Sequence, residues 1–246
     1  MQPILTFDRG DTVQLAYRHR LGHGPTIVFL PGYMSDMDGS KAVALENWAA
    51  ATGRAFVRFD YSGCGASGGA FTDGTISRWR DDALAVLSRI DGPLLLVGSS
   101  MGGWVALLVA LACPGRLRGL VTIAGAPDFT DWGLDLTDAE RAGVALGTAI
   151  ERPSAYGTAP YIYTAGLIVD GTANRLLGRE IAVDVPVRLL HGQADRDVPW
   201  QLSVDVAAVL RSSDVQVTLI KDGDHRLSRG SDLNLLCTTL DQLLEA

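Results

Sequence analysis

Lysine is nearly missing from this 246-residue chain, occurring only at positions 41 and 221, so that almost every positive charge is an arginine. We read that scarcity as a composition effect of a GC-rich coding sequence, not as function. Basic side chains are outnumbered, 21 against 28 acidic, and the net charge of −7 argues against nucleic acid or an anionic membrane as partner. Cysteine is also scarce. Cys64, Cys113 and Cys237 are odd in number, far apart and outside any C-x-x-C, which predicts reduced thiols and a cytoplasmic location. The four histidines show no paired spacing, so no metal site is expected, and no cofactor motif is present. The start, MQPILTFDRGDT, has no basic stretch followed by an apolar one, and so predicts no secretory signal. One uncharged run, residues 94–113, is long enough to cross a bilayer, but Gly98, Gly102 and Gly103 divide it into a strand and a helix, so no transmembrane segment is expected.

What the chain does have is centred on that run. Residues 94–97 (LLLV) read as a fully buried parallel strand, and residues 104–111 (WVALLVAL) as a buried helix stopped by Pro114 and Gly115. Between them, Gly98-Ser99-Ser100-Met101-Gly102 fits G-x-S-x-G, a strand-to-helix turn that holds a serine in a strained conformation at a helix N-terminus. A bare match is weak, since a chain this rich in glycine yields on the order of 0.2 by chance. Indeed Gly65-Ala66-Ser67-Gly68-Gly69 also fits, but no apolar helix follows it, and Ser67 is read as loop. Taken alone, Ser100 also fits an ordinary helix N-cap.

Around this unit the chain alternates. Residues 2–8 and 12–19 predict an antiparallel hairpin at a sheet edge, and 26–30 a central strand followed by the loop Pro31-Gly32-Tyr33-Met34 and a helix over 40–51. A strand over 55–60 leads into a glycine-rich loop. Phosphate binding there is disfavoured, because no G-x-x-x-x-G-K-[ST] is present. A helix over 75–90 carries Trp79, Ala83, Leu84 and Leu87 on one face. Strands over 120–124, 186–190 and 215–220 and helices over 200–210 and 231–244 complete the pattern. Residues 128–183 interrupt it; they hold Tyr156, Tyr161, Ile162, Tyr163, Leu167 and Ile168 among glycines and prolines, and are read as an inserted cap of short helices. Residues 1–127 and 184–246 then form one α/β core, a mostly parallel eight-stranded sheet with helices on both faces.

Parallel sheets present functional groups at the carboxyl ends of their strands. Four such ends carry candidates: Pro31-Gly32-Tyr33-Met34, Ser100, His191-Gly192-Gln193-Ala194-Asp195, and Asp222-Gly223-Asp224-His225. The chain order Ser, Asp, His suits nucleophilic catalysis. His225 can take the proton of the Ser100 hydroxyl near neutral pH, and Asp195 can orient the ring. The backbone N–H of Met101 and that of Tyr33 are the candidate oxyanion donors. Asp197, Asp222 and Asp224 compete with Asp195 for the acid role. His191 reads as structural, His19 and His23 as surface residues, and Cys64 as structural.

The segments FLPGYMSDMDGSKA, FVRFDYSGCGASGG, VGSSMGGW, VRLLHGQADRDVPW and KDGDHRLS resemble α/β-hydrolase serine hydrolases. The family they match is that typified by the mitochondrial palmitoyl-protein thioesterase also called mycophenolic acid acyl-glucuronide esterase. The resemblance covers nearly the whole chain. It implies the α/β-hydrolase fold, a Ser100–Asp195–His225 triad with Tyr33 and Met101 at the oxyanion hole, and hydrolysis of small-molecule or protein-linked acyl esters or thioesters. An acyltransferase or a peptide or carbon–carbon hydrolase is the alternative on the same fold. Dehalogenases and epoxide hydrolases are disfavoured because they place aspartate where Ser100 stands, and a non-catalytic scaffold because no triad position is broken.

Overall fold

The computed structural model describes residues 2–154 and 159–245. The elements in chain order are β1 (Leu5–Asp8), β2 (Gln14–Arg20), β3 (His23–Leu30), α1 (Ser40–Thr52), β4 (Arg54–Phe59), α2 (Ile76–Leu87), β5 (Leu94–Ser99), α3 (Met101–Ala112) and β6 (Leu117–Ile123). There follow α4 (Phe129–Trp132), α5 (Asp138–Ala145), β7 (Ile150–Arg152), β8 (Tyr161–Tyr163) and α6 (Ala165–Ala173). The chain ends with β9 (Val187–Gly192), α7 (Gln201–Val209), β10 (Val215–Ile220) and α8 (Gly230–Glu245). Eight strands form one sheet in the order β1-β2-β4-β3-β5-β6-β9-β10. Pairing is antiparallel at β1–β2 and β2–β4 and parallel from β4 to β10, as expected from an opening hairpin followed by β-α units.

The sheet is apolar on both faces because its central strands alternate between two cores. Ile27 and Phe29 of β3 join Leu95 and Val97 of β5 against Ala42, Leu45 and Ala49 of α1 and Leu236, Leu240 and Leu243 of α8. Val28, Leu30, Leu94 and Leu96 face the other way, onto Trp79 and Val86 of α2 and the wholly apolar α3. A strand buried on both faces is a continuous apolar run, which is how β5 reads in the sequence. On α2, Leu84 lies at the margin of that core, whereas Asp82 is fully buried, accepting from the Ser62 N–H and hydroxyl at 2.8 and 2.7 Å and from Arg9.

Between β6 and β9 the alternation stops, as expected, but the segment is not helical throughout. β7 and β8 pair antiparallel as a two-stranded ribbon. Tyr156 lies outside the described residues. The segment's two ends are tied to each other, the buried Asp128 carboxylate accepting the N–H groups of Leu176 and Leu177 at 2.8–3.1 Å. Its far end is fastened to the core: Asp170 accepts the Ser77 N–H at 2.8 Å, and the Trp104 indole donates to the Asn174 carbonyl at 3.1 Å.

A buried ion pair fixes the loop that follows β3. Arg58 has no exposed side-chain surface; it donates to Glu46 through Nε at 2.9 Å and through Nη2, while Nη1 reaches the Met37 carbonyl and Asp38. Asp60 holds the same loop by accepting the Met37 N–H at 2.6 Å. Without Glu46, Nε and Nη2 of the buried Arg58 lose their acceptor, and only Nη1 keeps an acidic partner, Asp38. Glu46→Ala is therefore expected to destabilise the fold by about 3–5 kcal/mol. Equilibrium urea unfolding measures this, and a loss below about 1 kcal/mol contradicts the role given to the pair.

Candidate active site

At Ser100 the backbone takes φ 54°, ψ −122°, a conformation that L residues avoid. Close packing forces it. A Cβ on Gly98 would lie 2.2 Å from the Gly102 carbonyl oxygen, and one on Gly102 would lie 2.1 Å from that of Leu30. Neither site tolerates a side chain, and β5 turns into α3 with Ser100 as the single residue between them. The turn is held from outside: Ser100 N–H donates to Ile123 O at 2.9 Å and Ala126 N–H to Ser100 O at 3.0 Å. The Ser100 side chain makes no capping bond to α3, which leaves the plain N-cap reading without support.

Three residues far apart in the chain meet there. Ser100 Oγ lies 3.1 Å from His225 Nε2, and His225 Nδ1 lies 2.8 Å from Asp195 Oδ2. Since Nδ1 faces a carboxylate, it carries the proton, and Nε2 is left to accept from the serine hydroxyl. The loops carrying Asp195 and His225 are joined by the Ala194 N–H donating to Gly223 O at 2.9 Å. Of the competing acids, Asp222 pairs with Arg229, Asp224 accepts the Leu227 N–H, and Asp197 is exposed.

Asp195 is wholly shielded, and its two oxygens receive four N–H donors. Oδ1 takes the Asp197 and Val198 N–H groups, both at 2.9 Å; Oδ2 takes His225 and also His191 Nε2 at 3.1 Å. Burial pushes its pKa up, but the bonds from His191, His225 and Val198 more than offset that, and the carboxyl is held well below the usual range. The role of His191 at the acid is the part that reading the sequence missed. Fully buried, it donates from Nε2 toward both Asp195 and the Val198 carbonyl (3.1 Å each) while Nδ1 accepts from the Ser203 hydroxyl at 2.7 Å. The signal was its spacing four residues before Asp195 at the same strand end. Asp195, Asp197 and His225 also bring ligand atoms within 4.8 Å of one another, but both nitrogens of His225 and both oxygens of Asp195 are already engaged in hydrogen bonds.

Ser100 opens on a cavity of about 760 Å³, within the usual range for small-molecule sites. Tyr33 and Met101 line it beside Ser100 and His225. So do Phe129, Trp132, Leu134, Tyr161 and Tyr163 from the inserted segment. The bland readings of other residues fit their places. Ser67 bridges the loop by donating to Asp60 O at 2.7 Å and accepting the Ala16 N–H at 2.9 Å. His23 is exposed and bonds the Thr52 carbonyl, while His19 is half-buried, its pKa lowered by burial. Burial, with Asp60, Asp82 and Asp36 nearby, pushes the Cys64 thiol up to about 12, which keeps it protonated and unreactive.

The sheet, the strand-to-helix serine turn and the positions of the Asp195 and His225 loops define an α/β-hydrolase. Residues 23–140 match the family model described as serine aminopeptidase, S33. The chain is 42% identical over 246 residues to the mouse mitochondrial palmitoyl-protein thioesterase ABHD10, spanning 97% of this chain and 81% of that protein. It superposes on the crystal structure of a putative hydrolase from Agrobacterium vitis S4 with a TM-score of 0.92 and 42% identity, covering 99% of this chain and 100% of that one. The structure of mouse alpha/beta hydrolase domain-containing protein 10 gives the same TM-score, 0.92, at 38% identity over 99% and 98% of the chains. The chain belongs to the ABHD10 thioesterase family and is a hydrolase. Among the described residues no helix is long and apolar enough to cross a membrane.

His191→Ala removes a donor from Asp195 and leaves Ser203 unpaired in the core. A loss of about 1–3 kcal/mol in urea unfolding is expected, and a loss under about 0.5 kcal/mol contradicts the structural role.

Proposed function

We propose that this chain hydrolyses acyl thioesters and activated acyl esters through an acyl-enzyme on Ser100, with His225 as base and Asp195 as its orienting acid. We further read residues 128–183 as a cap over the acyl pocket, and the N–H groups of Tyr33 and Met101 as the oxyanion donors. The observation that carries this is the unbroken chain of bonds from Ser100 Oγ through His225 to Asp195, at 3.1 and 2.8 Å, opening on an aromatic-lined cavity.

The chemistry follows from those contacts. Oγ attacks the acyl carbon as its proton passes to His225 Nε2. The carbonyl oxygen becomes an oxyanion in front of the two N–H groups, at the N-terminus of α3. When the tetrahedral adduct collapses, the carbon–sulfur or carbon–oxygen bond breaks and the imidazolium gives its proton to the leaving thiol or alcohol. Water, giving a proton to the same nitrogen, then attacks the acyl carbon; as this second adduct collapses, the carbon–Oγ bond breaks, the imidazolium returns its proton to Oγ, and the acid leaves. Asp195, its carboxyl held well below the usual range, stays ionised throughout, and its negative charge stabilises the imidazolium more than the neutral ring.

Palmitoyl-protein thioesters, the substrate in the relative's name, are the first class to test, with acyl glucuronides next. The three unpaired cysteines suit a reducing compartment. The cytoplasm expected from the sequence is one; the mitochondrion in the relatives' name is another.

Ser100→Ala is expected to lose essentially all turnover, about six decades in a comparable triad enzyme, and to abolish labelling by a fluorophosphonate. Full activity in that variant contradicts the proposal. Turnover is also expected to fall on acidification, because a protonated imidazole cannot accept the serine proton; a flat profile from pH 5 to 8 argues against His225 as base. A series of acyl thioesters of rising chain length, run beside p-nitrophenyl esters and added alcohols, separates depalmitoylation from short-chain detoxification and from acyl transfer.

A further inference from the structure

Tyr33 is placed where its two ends touch different parts of the molecule. Its backbone belongs to the loop beside Ser100: a Cβ on the neighbouring Gly32 would lie 3.4 Å from Ser100 Cβ, and the next residue, Met34, sits in the left-handed region at φ 52°. Its side chain leaves the site for the β7–β8 ribbon, where the phenol donates a hydrogen bond to the Ile162 carbonyl. The ring stacks on Tyr163, with centroids 5.1 Å apart and planes 7° off parallel. Phe71 and Trp79 of the core meet it edge-on at 5.2 and 5.7 Å, and Phe129 lies 5.8 Å away.

The rest of this loop is tied to the core: Met37 to Asp60 and Arg58, Asp38 to Arg58. The stretch next to Ser100 is thus tied on one side to the core and on the other to the ribbon. A left-handed non-glycine residue in that stretch needs its neighbours to hold it. The phenol can supply that hold only while the ribbon is seated.

We infer that the Tyr33 phenol is a positioning group, a latch to Ile162 that sets the Tyr33 N–H for the oxyanion when the ribbon is docked. Seating of the cap and stabilisation of the tetrahedral adduct are then one event. This rests on the oxyanion role given to Tyr33 under the proposed function. Losing an oxyanion donor outright costs about two to three decades in kcat, and misplacing one costs less.

Tyr33→Phe keeps the ring and removes the hydroxyl. With a p-nitrophenyl ester, kcat is expected to fall at least about tenfold while KM changes less than about twofold. The inhibition constant of a trifluoromethyl ketone with the same acyl chain, which adds to the serine as an oxyanion, is expected to rise by the same factor. Ile150→Ala loosens the ribbon from within the small core it shares with Leu134, Val144 and Ile168, and Ile150 does not line the catalytic cavity. It is expected to lower kcat in the same way, and the double variant to lose less than the product of the two, because both act through one bond. A higher KM with unchanged kcat and inhibitor affinity, or no change in any of the three, overturns the latch. Ser100→Ala run in parallel keeps the two readings apart. If it is dead while Tyr33→Phe is unaltered, the latch alone fails; if it is active, the hydrolytic reading fails and the latch with it.

Discussion

Everything at the site depends on a backbone that cannot relax. Gly98 and Gly102 pack so closely against the carbonyls of Gly102 and Leu30 that no side chain fits between β5, β3 and α3, and the strain falls on Ser100. A non-glycine residue held in so sparsely populated a conformation costs on the order of 1–3 kcal/mol, and the surrounding double-sided core offsets it. In return the serine hydroxyl is presented at the end of a helix rather than folded back to cap it. The alternation of apolar residues along β3 and β5, which lets α1 and α8 cover one face and α2 and α3 the other, is what makes the sheet rigid enough to hold the turn.

On that fixed point the other groups converge by different means. Asp195 is held by four donors and shielded from water, so its geometry is set before any substrate arrives. His225 comes from a loop joined to the Asp195 loop by backbone contact, and further along that loop the Arg226 carbonyl accepts from Lys41 at the start of α1. The loop carrying Tyr33 is different in kind. Half of it is fixed by the buried Arg58–Glu46 pair and by Asp60, and half by aromatic contacts with the inserted ribbon. On the functional reading proposed above, Asp195 and His225 are the fixed part of the site and the Tyr33 loop is the part through which substrate enclosure would complete it.

The core of the fold was legible because its signals are local. Apolar runs of five or six residues, glycines at the serine turn and a proline after α3 each declare themselves within a short window. The inserted segment was legible as an interruption but not in its content: Ile150–Arg152 and Tyr161–Tyr163 are three-residue strands, too short for any period to show. Asp195 stood among four acids in the sequence; its 2.8 Å bond to His225 Nδ1 singles it out, with Asp222 on Arg229, Asp224 on the Leu227 N–H and Asp197 exposed. The contact of His191 with Asp195 was marked only by their four-residue spacing, and that of Tyr33 could not be read at all. The Tyr33 phenol meets a carbonyl 129 positions away, and a carbonyl carries no mark in a sequence. Ser100, Asp195 and His225 could be nominated from the sequence because nucleophilic catalysis demands particular side chains in a particular order, a constraint that backbone acceptors escape.

The central claim is covalent: the acyl group passes through Ser100. Rapid-quench intact-protein mass spectrometry, on the full chain mixed with a long-chain acyl thioester, tests it most directly. An adduct of one acyl group, localised to Ser100 by peptide mapping and decaying as free acid appears, is the result expected. Turnover without any adduct under single-turnover conditions, or an adduct on Cys64 instead, contradicts the account.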